Sequence, residues 1–227
     1  MSAVIALRHG HVELALHALA DGSGVPLLAL HELGGATGPA EPEVAQRWPG
    51  PVFGLDFTGH GRSSVPAGGG YTAEVLVGDA DAALAHLGRA VVWGSGLGAY
   101  VALLLAGARP GSVPAVVLAD GAGLDGGDGT PVGLLSGASP DAPDPYALAE
   151  LASDVRAPEY AAAFAAAAQR GEHQPERVFV VARATPPWLV AVCAVGGVRR
   201  CSPAQALGAA ARLAQAPDPA ESARGRQ

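Results

Sequence analysis

The segment AVVWGSGLGAYVALLLAG, residues 90–107, decides the fold. It opens on a short continuous apolar run, Ala90–Trp93, the pattern of a strand covered on both faces. Gly94-Ser95-Gly96 then punctuates it, and Leu97–Ala108 continues as a helix, so a strand hands over to a helix across one glycine turn. The same unit recurs outward from this point. Val52–Asp56 reads as a strand, and Ala73–Leu87 as a helix with Val75, Leu76, Ala80, Ala83, Leu84 and Leu87 at helical spacing. Ala115–Asp120 reads as the next strand. Alternation of this kind predicts a parallel sheet with helices on both faces.

Toward the N-terminus, Val4–Leu7 and Val12–Leu19 read as two strands joined at His9-Gly10. In the second, Val12, Leu14 and Leu16 alternate with Glu13, Ala15 and His17, the period of a half-buried strand. Asp21-Gly22-Ser23-Gly24 is turn chemistry, and Pro26–His31 is another short apolar strand. Toward the C-terminus, glycines and prolines break the rhythm between Gly121 and Pro145. Two Ala-rich helices follow, Tyr146–Ser153 and Pro158–Arg170, so residues 121–176 are expected to form a small helical cap over the C-terminal edge of the sheet. Arg177–Arg183 resumes the sheet. Trp188–Val195 is too apolar for periodicity to separate helix from strand, although Pro186-Pro187 favours a helix start. Ser202-Pro203 is an N-cap and first-turn pair opening a helix to about Gln215, after which the chain is expected to fray.

Composition narrows the classes of function. With 227 residues, 49% of them hydrophobic and 15% charged, the chain suits one large α/β domain over residues 1–227, with no sign of a disordered polypeptide. A net charge of −7, with every cation an Arg, gives no basic face for tracking phosphates, which argues against nucleic acid as a partner. The N-terminal run is interrupted by Arg8 and His9 and lacks the apolar core of a secretory leader. No apolar stretch reaches the ~20 residues that span a bilayer. Cys193 and Cys201 belong to no CxxC pair or His/Cys cluster, as expected of free thiols in a reducing cytoplasm. A cytoplasmic protein is the expectation, with no membrane association, no cofactor and no metal.

Three segments in order resemble the α/β-hydrolase superfamily. LALHELGGATG at 28–38 is similar to its His-Gly-x-Gly-Gly oxyanion loop, and VFGLDFTGHGRSS at 52–64 to its Asp-x-x-Gly-x-Gly-x-Ser loop. AVVWGSGLGAYVALLLAG is similar to its nucleophile elbow. The resemblance implies the α/β-hydrolase fold, a mostly parallel sheet with an N-terminal antiparallel strand pair. It also exposes three departures. The elbow pattern Gly-x-Ser-x-Gly reads Gly94-Ser95-Gly96-Leu97-Gly98, so the nucleophile position falls on Gly96. Ser95 is one residue early, and a frame centred on it would need glycines where Trp93 and Leu97 stand. No His follows His173, and no carboxylate occurs between Glu176 and Asp218, so the family's base and acid have no counterparts at 184–187 or 198–202. Finally, Glu32 stands where the oxyanion loop usually has Gly, and a carboxylate there would repel a developing oxyanion.

The expected function is therefore a pseudoenzyme: a non-catalytic small-molecule-binding or interaction protein on a hydrolase fold. The amide of Leu97 still opens a helix, and Gly96 leaves room where a serine would stand. Ser95, Gly96 and Leu97 are thus expected to line a small pocket under residues 146–170, with His31 and Glu32 beside it, for a small carbonyl or carboxylate ligand. A protein partner or a second copy of the chain is the other class of partner. The alternative is an enzyme with rearranged groups (hydrolase, lyase or isomerase) using His31, Glu32 and Asp120. Asp56 and His60 are expected to hold their own loop, and Asp154 and Arg156 to form a surface pair or a lid contact. A minor alternative reads GSGLGA at 94–99, followed by Asp120, as a dinucleotide fingerprint of an oxidoreductase.

Overall fold

A computed structural model describes residues 3–37, 47–127, 143–169 and 175–216. The chain opens with β1 (Val4–His9) and β2 (Val12–Ala20), a hairpin in full register from Val4↔His17 to His9↔Val12. Its turn is at Gly10-His11, slightly later than the joint expected, and Gly10 supplies the φ of +58° that the turn requires. β3 (Leu27–Leu30), β4 (Val52–Leu55), α1 (Ala73–Leu87), β5 (Val91–Ser95), α2 (Leu97–Ala108) and β6 (Val116–Ala119) follow. After them come α3 (Pro145–Ser153), α4 (Pro158–Gln169), β7 (Val178–Val180), α5 (Pro187–Cys193), β8 (Val198–Arg200) and α6 (Pro203–Gln215).

The eight strands form one sheet in the order β1-β2-β4-β3-β5-β6-β7-β8. β2 lies antiparallel to β1 and β4, and every pair from β4 to β8 is parallel, so the expected architecture is present. The segment left open between helix and strand is α5, started by Pro187 at its first turn. β8 escaped notice in the sequence because three residues, two of them exposed arginines, carry no periodicity.

Period-two alternation sends neighbours on a strand to opposite layers. In β5, Val92 joins the larger core with Leu76 and Leu84 of α1, Tyr100 of α2 and Trp188 of α5, while Val91 and Trp93 face Leu207 and Ala210 of α6. α2 is buried from Leu97 to Ala106 because sheet, α1 and α4 surround it, which is why its sequence is apolar on all sides. α4 approaches so closely that a Cβ on Gly107 would lie 2.6 Å from the Phe164 carbonyl oxygen, and alanines at 161, 165 and 168 make that fit. The expected cap over 121–176 therefore divides. α4 packs on α2 and α5 as part of the helical layer on one sheet face. α3 reaches the oxyanion loop, with Leu148 3.2 Å from where a Cβ on Gly34 would be. Residues 128–142 and 170–174 of that stretch lie outside the described residues. α6 carries the capping box foreseen at Ser202, closed by Gln205.

Candidate functional site

At the C-terminal end of β5 the chain makes the strained strand-to-helix turn of a nucleophile elbow. Gly96 sits at φ +56°, ψ −120°, and α2 begins at the next residue. Two flanking glycines permit it. A Cβ on Gly94 would lie 2.1 Å from the Gly98 carbonyl oxygen, and one on Gly98 would lie 2.5 Å from the Leu30 carbonyl oxygen. Ser95 shares the face of Trp93, two residues back, and its Oγ accepts from Trp93 Nε1 at 3.3 Å. It points into the α6 layer and cannot serve the elbow.

The place of the missing side chain is filled. The loop after β6 runs across Gly96, so that a Cβ there would stand 2.1 Å from the Ala122 carbonyl oxygen and 2.6 Å from the Gly121 carbonyl carbon. That oxygen accepts from Leu97 N–H at 3.0 Å and from Leu33 N–H at 3.1 Å. These are the amide after the elbow and an amide of the oxyanion loop, the pair that in a hydrolase would hold a substrate oxygen. Glu32 completes the arrangement: its carboxylate accepts from Ala122 N–H at 2.7 Å. The pocket expected above Gly96, with a free Leu97 amide on its floor, is corrected by these contacts, because the chain's own peptide occupies it. Glu32 is corrected likewise. Its partner is a backbone N–H, so a carboxylate that would repel an oxyanion here secures the loop that fills the hole.

His31 and Asp120 are each held by other groups. His31 Nδ1 donates to the Glu32 carbonyl at 2.7 Å, which leaves Nε2 to accept from Phe57 N–H at 3.1 Å. Burial, with the neighbouring His60 ring 5.1 Å away, lowers its pKa to about 4, so both nitrogens are committed in a neutral ring. Asp120 accepts from the backbone amides of Arg183 and Ala184 at 2.9–3.0 Å, tying the end of β6 to the chain leaving β7. Burial alone would raise its carboxyl, but these amides and the Arg183 side chain outweigh it and hold the group below the usual carboxylate range. The trio His31, Glu32 and Asp120 thus forms no catalytic relay. The same contacts remove the dinucleotide alternative, since the peptide at 121–122 covers the helix start and Asp120 is spent on β7.

The remaining polar residues hold loops. Asp56 accepts from Thr37 N–H at 2.6 Å and Arg62 N–H at 2.8 Å, and its Oδ2 meets His17 Nε2 at 2.8 Å. Asp56 is therefore the anchor of its own turn. His60 Nδ1 lies 3.2 Å from the Thr58 carbonyl oxygen, while burial lowers its pKa. Arg156 is neither on the surface nor on a lid. It is buried over the Tyr100 ring, 5.2 Å from the centroid, and Nη1 donates to the Leu124 carbonyl, which also accepts from Trp188 Nε1 at 2.8 Å. Asp154 instead accepts from Ala73 N–H at 2.8 Å. Sequence reasoning reaches Gly121 only as the strand end beside Asp120 and does not single out Leu33 or Ala122. The one signal for them was the run Gly121-Ala122-Gly123 directly after a strand, a backbone nearly bare of side chains.

Comparisons with known proteins support the fold. The family model described as alpha/beta hydrolase fold matches residues 51–187. A hydrolase from Pseudomonas aeruginosa PA01 superposes with a TM-score of 0.62 at 24% identity, covering 95% of this chain and 98% of that one. At that identity the likeness is one of fold. Epoxide hydrolase A from Mycobacterium thermoresistibile (TM-score 0.42, 25% identity) and an epoxide hydrolase from Vigna radiata (0.41, 23%) each align with 52% of this chain. The alignments span 39% and 38% of those two proteins' own lengths. No match was found among curated proteins. No helix among the described residues is long and apolar enough to cross a membrane. With the strand order, the elbow and a family model matching more than half of it, the chain belongs to the α/β-hydrolase fold family.

Proposed function

We propose that this protein is a non-catalytic member of the family that works by binding. One observation carries the reading: the Ala122 carbonyl oxygen lies where the nucleophile's Cβ would be and takes both amides of the oxyanion hole. No attacking atom stands at the elbow, and no acyl oxygen can enter the hole while Ala122 is in it. Supporting this, the ends of β7 and β8 bear neither the acid nor the base that a triad needs. Hydrolase names among the structural neighbours would favour an enzyme. Yet removing one triad member costs orders of magnitude in rate, and among the described residues position 96 carries no side chain and the ends of β7 and β8 carry no acid or base.

Activity measurements test the proposal directly. A fluorophosphonate probe should leave the protein unlabelled, and p-nitrophenyl esters should turn over no faster than with heat-denatured protein. Stoichiometric labelling of Ser95, or ester turnover abolished by replacing His31, would establish the enzyme reading instead.

A further inference from the structure

The back of the sheet carries a groove that α6 leaves open. α6 lies over β5 and β6, and Ala206, Leu207, Ala210 and Ala214 form its sheet-facing side. Beyond it, on β7 and β8, a groove of about 230 Å³ remains. We infer that this groove binds a small carboxylate with an apolar tail, of the size of 3-phenylpropionate. It lies at the opposite end of the sheet from the elbow. Glu176, on its rim, leads into the start of β7, and Arg89 ties the neighbouring end of α6 to the start of β5. The site therefore needs nothing from the non-catalytic reading of the elbow.

Register and helix pitch bring the lining together. Phe179 and Arg199 are paired neighbours on parallel strands and so project to the same face, toward α6. Ala209, Arg212 and Leu213 follow at the three- and four-residue spacing that places them on one flank of the helix. Phe179 is buried, while Ala209 and Leu213 are half-buried, so the floor is apolar and partly uncovered. One guanidinium thus stands on the strand wall and another on the helix wall.

Charge selects the ligand. Arg199 Nη1 donates to Glu176 Oε2 at 3.2 Å, which balances that pair. Arg212 has no hydrogen bond or ion pair among the described residues. An arginine in the last turn of a helix ordinarily serves the terminal carbonyls. Here Arg89 donates to those of Leu213, Ala214 and Ala216 in its place. Arg212 instead lies back along the helix, with Nη1 3.7 Å from where a Cβ on Gly208 would be. The groove thus carries one unanswered positive charge in a chain of net charge −7. A single carboxylate answers it, through two parallel N–H···O bonds to one guanidinium. A second negative charge would meet Glu176, and a neutral ligand would leave Arg212 unpaired. The apolar remainder of the ligand covers Ala209 and Leu213.

The test is amide NMR of the full chain titrated with sodium 3-phenylpropionate. 3-Phenylpropanamide, which lacks the charge, and sodium acetate, which lacks the tail, are the comparators. The expected result is a saturable shift of the Ala209, Arg212 and Leu213 amides, with the first compound binding roughly tenfold more tightly than either comparator. Arg212→Gln, at an exposed position, should weaken binding by a similar factor, and Arg212→Lys, which keeps the charge without the fork, should weaken it less. Ala209→Phe, which fills the groove, should abolish binding; should that variant not fold, the Arg212 variants decide the matter. No saturable shift, an equal response to the amide or to acetate, or undiminished binding in Arg212→Gln overturns the inference. A shift centred on the Leu33 and Leu97 amides would place the carboxylate at the elbow and overturn it equally.

Discussion

Placing a serine back at the elbow, Gly96→Ser, should damage the protein and restore nothing. Two costs add. A residue with a Cβ held at φ +56°, ψ −120° is strained by about 1–3 kcal/mol. The new Cβ would also stand 2.1 Å from the Ala122 carbonyl oxygen, a backbone atom that no rotamer change can move aside. The loop must lift, giving up the hydrogen bonds from Leu33 and Leu97, at about 1 kcal/mol each. The sum is roughly 3–5 kcal/mol, a large fraction of the about 5–15 kcal/mol by which domains are stable. For a chain of this length that is a fall in Tm of roughly 6–20 °C, readable by calorimetry. Gly96→Ala brings the same Cβ without the hydroxyl and should lose a similar amount. Both variants should stay silent toward p-nitrophenyl esters, because no base stands at the end of β8. A Tm within about 2 °C of wild type for both would refute the claim that the Gly121-Ala122 peptide fills the elbow.

His31 and Asp120 make the remaining stability predictions. The folded pKa of His31 is about 4 against an ordinary 6.5, so its contribution is full above pH 6.5 and is lost as pH falls toward 4. With part of the ring exposed, roughly 2–3 kcal/mol should disappear across that window in urea titrations, and the NMR resonance of the ring should show no midpoint above 5.5. A midpoint near 6.5 would return His31 to the list of candidate bases. Asp120→Asn should lower Tm by roughly 2–6 °C at pH 7, since the amides of Arg183 and Ala184 lose a charged acceptor. Because a depressed carboxyl stabilises above its unfolded pKa and stops doing so below its folded one, that difference should shrink by pH 3. A difference independent of pH would mean that charge plays no part in joining β6 to β7.

The fold was legible because its signals are local. The glycines of 94–98 are dictated by atoms within a few residues or on the adjoining strand, and the capping box at Ser202 is complete within four residues. The empty nucleophile position was equally plain, as a side chain that is not there. What filled it could not be read. The occupant is a peptide carbonyl, which every residue possesses, delivered by a loop whose Gly-Ala-Gly run differs little from other turns in a chain with 32 glycines. Glu32 could be recognised as anomalous, but its partner is a backbone N–H 90 residues away. The partners of Asp120 are hidden for the same reason: its oxygens face the amides of Arg183 and Ala184, which leave no trace in a sequence. Arg156 looked like a surface residue by type, and burial over Tyr100 is a tertiary fact.

The distribution of helices over the two sheet faces also orders the events of folding. On one face, α1, α2, α4 and α5 arrive in step with the strands they cover. On the other, the described helix is α6, which packs Ala206, Leu207, Ala210 and Ala214 against Val91, Trp93, Val117 and Phe179. Arg89, at the turn into β5, donates to the carbonyls of Leu213, Ala214 and Ala216 at the far end of that helix, a contact across 125 residues of chain. During synthesis the part of this second face that α6 covers, Val91, Trp93, Val117 and Phe179, gains that cover only once residues 203–215 have left the ribosome. Apolar side chains whose cover arrives last are a natural contact for chaperones and a point of entry for aggregation.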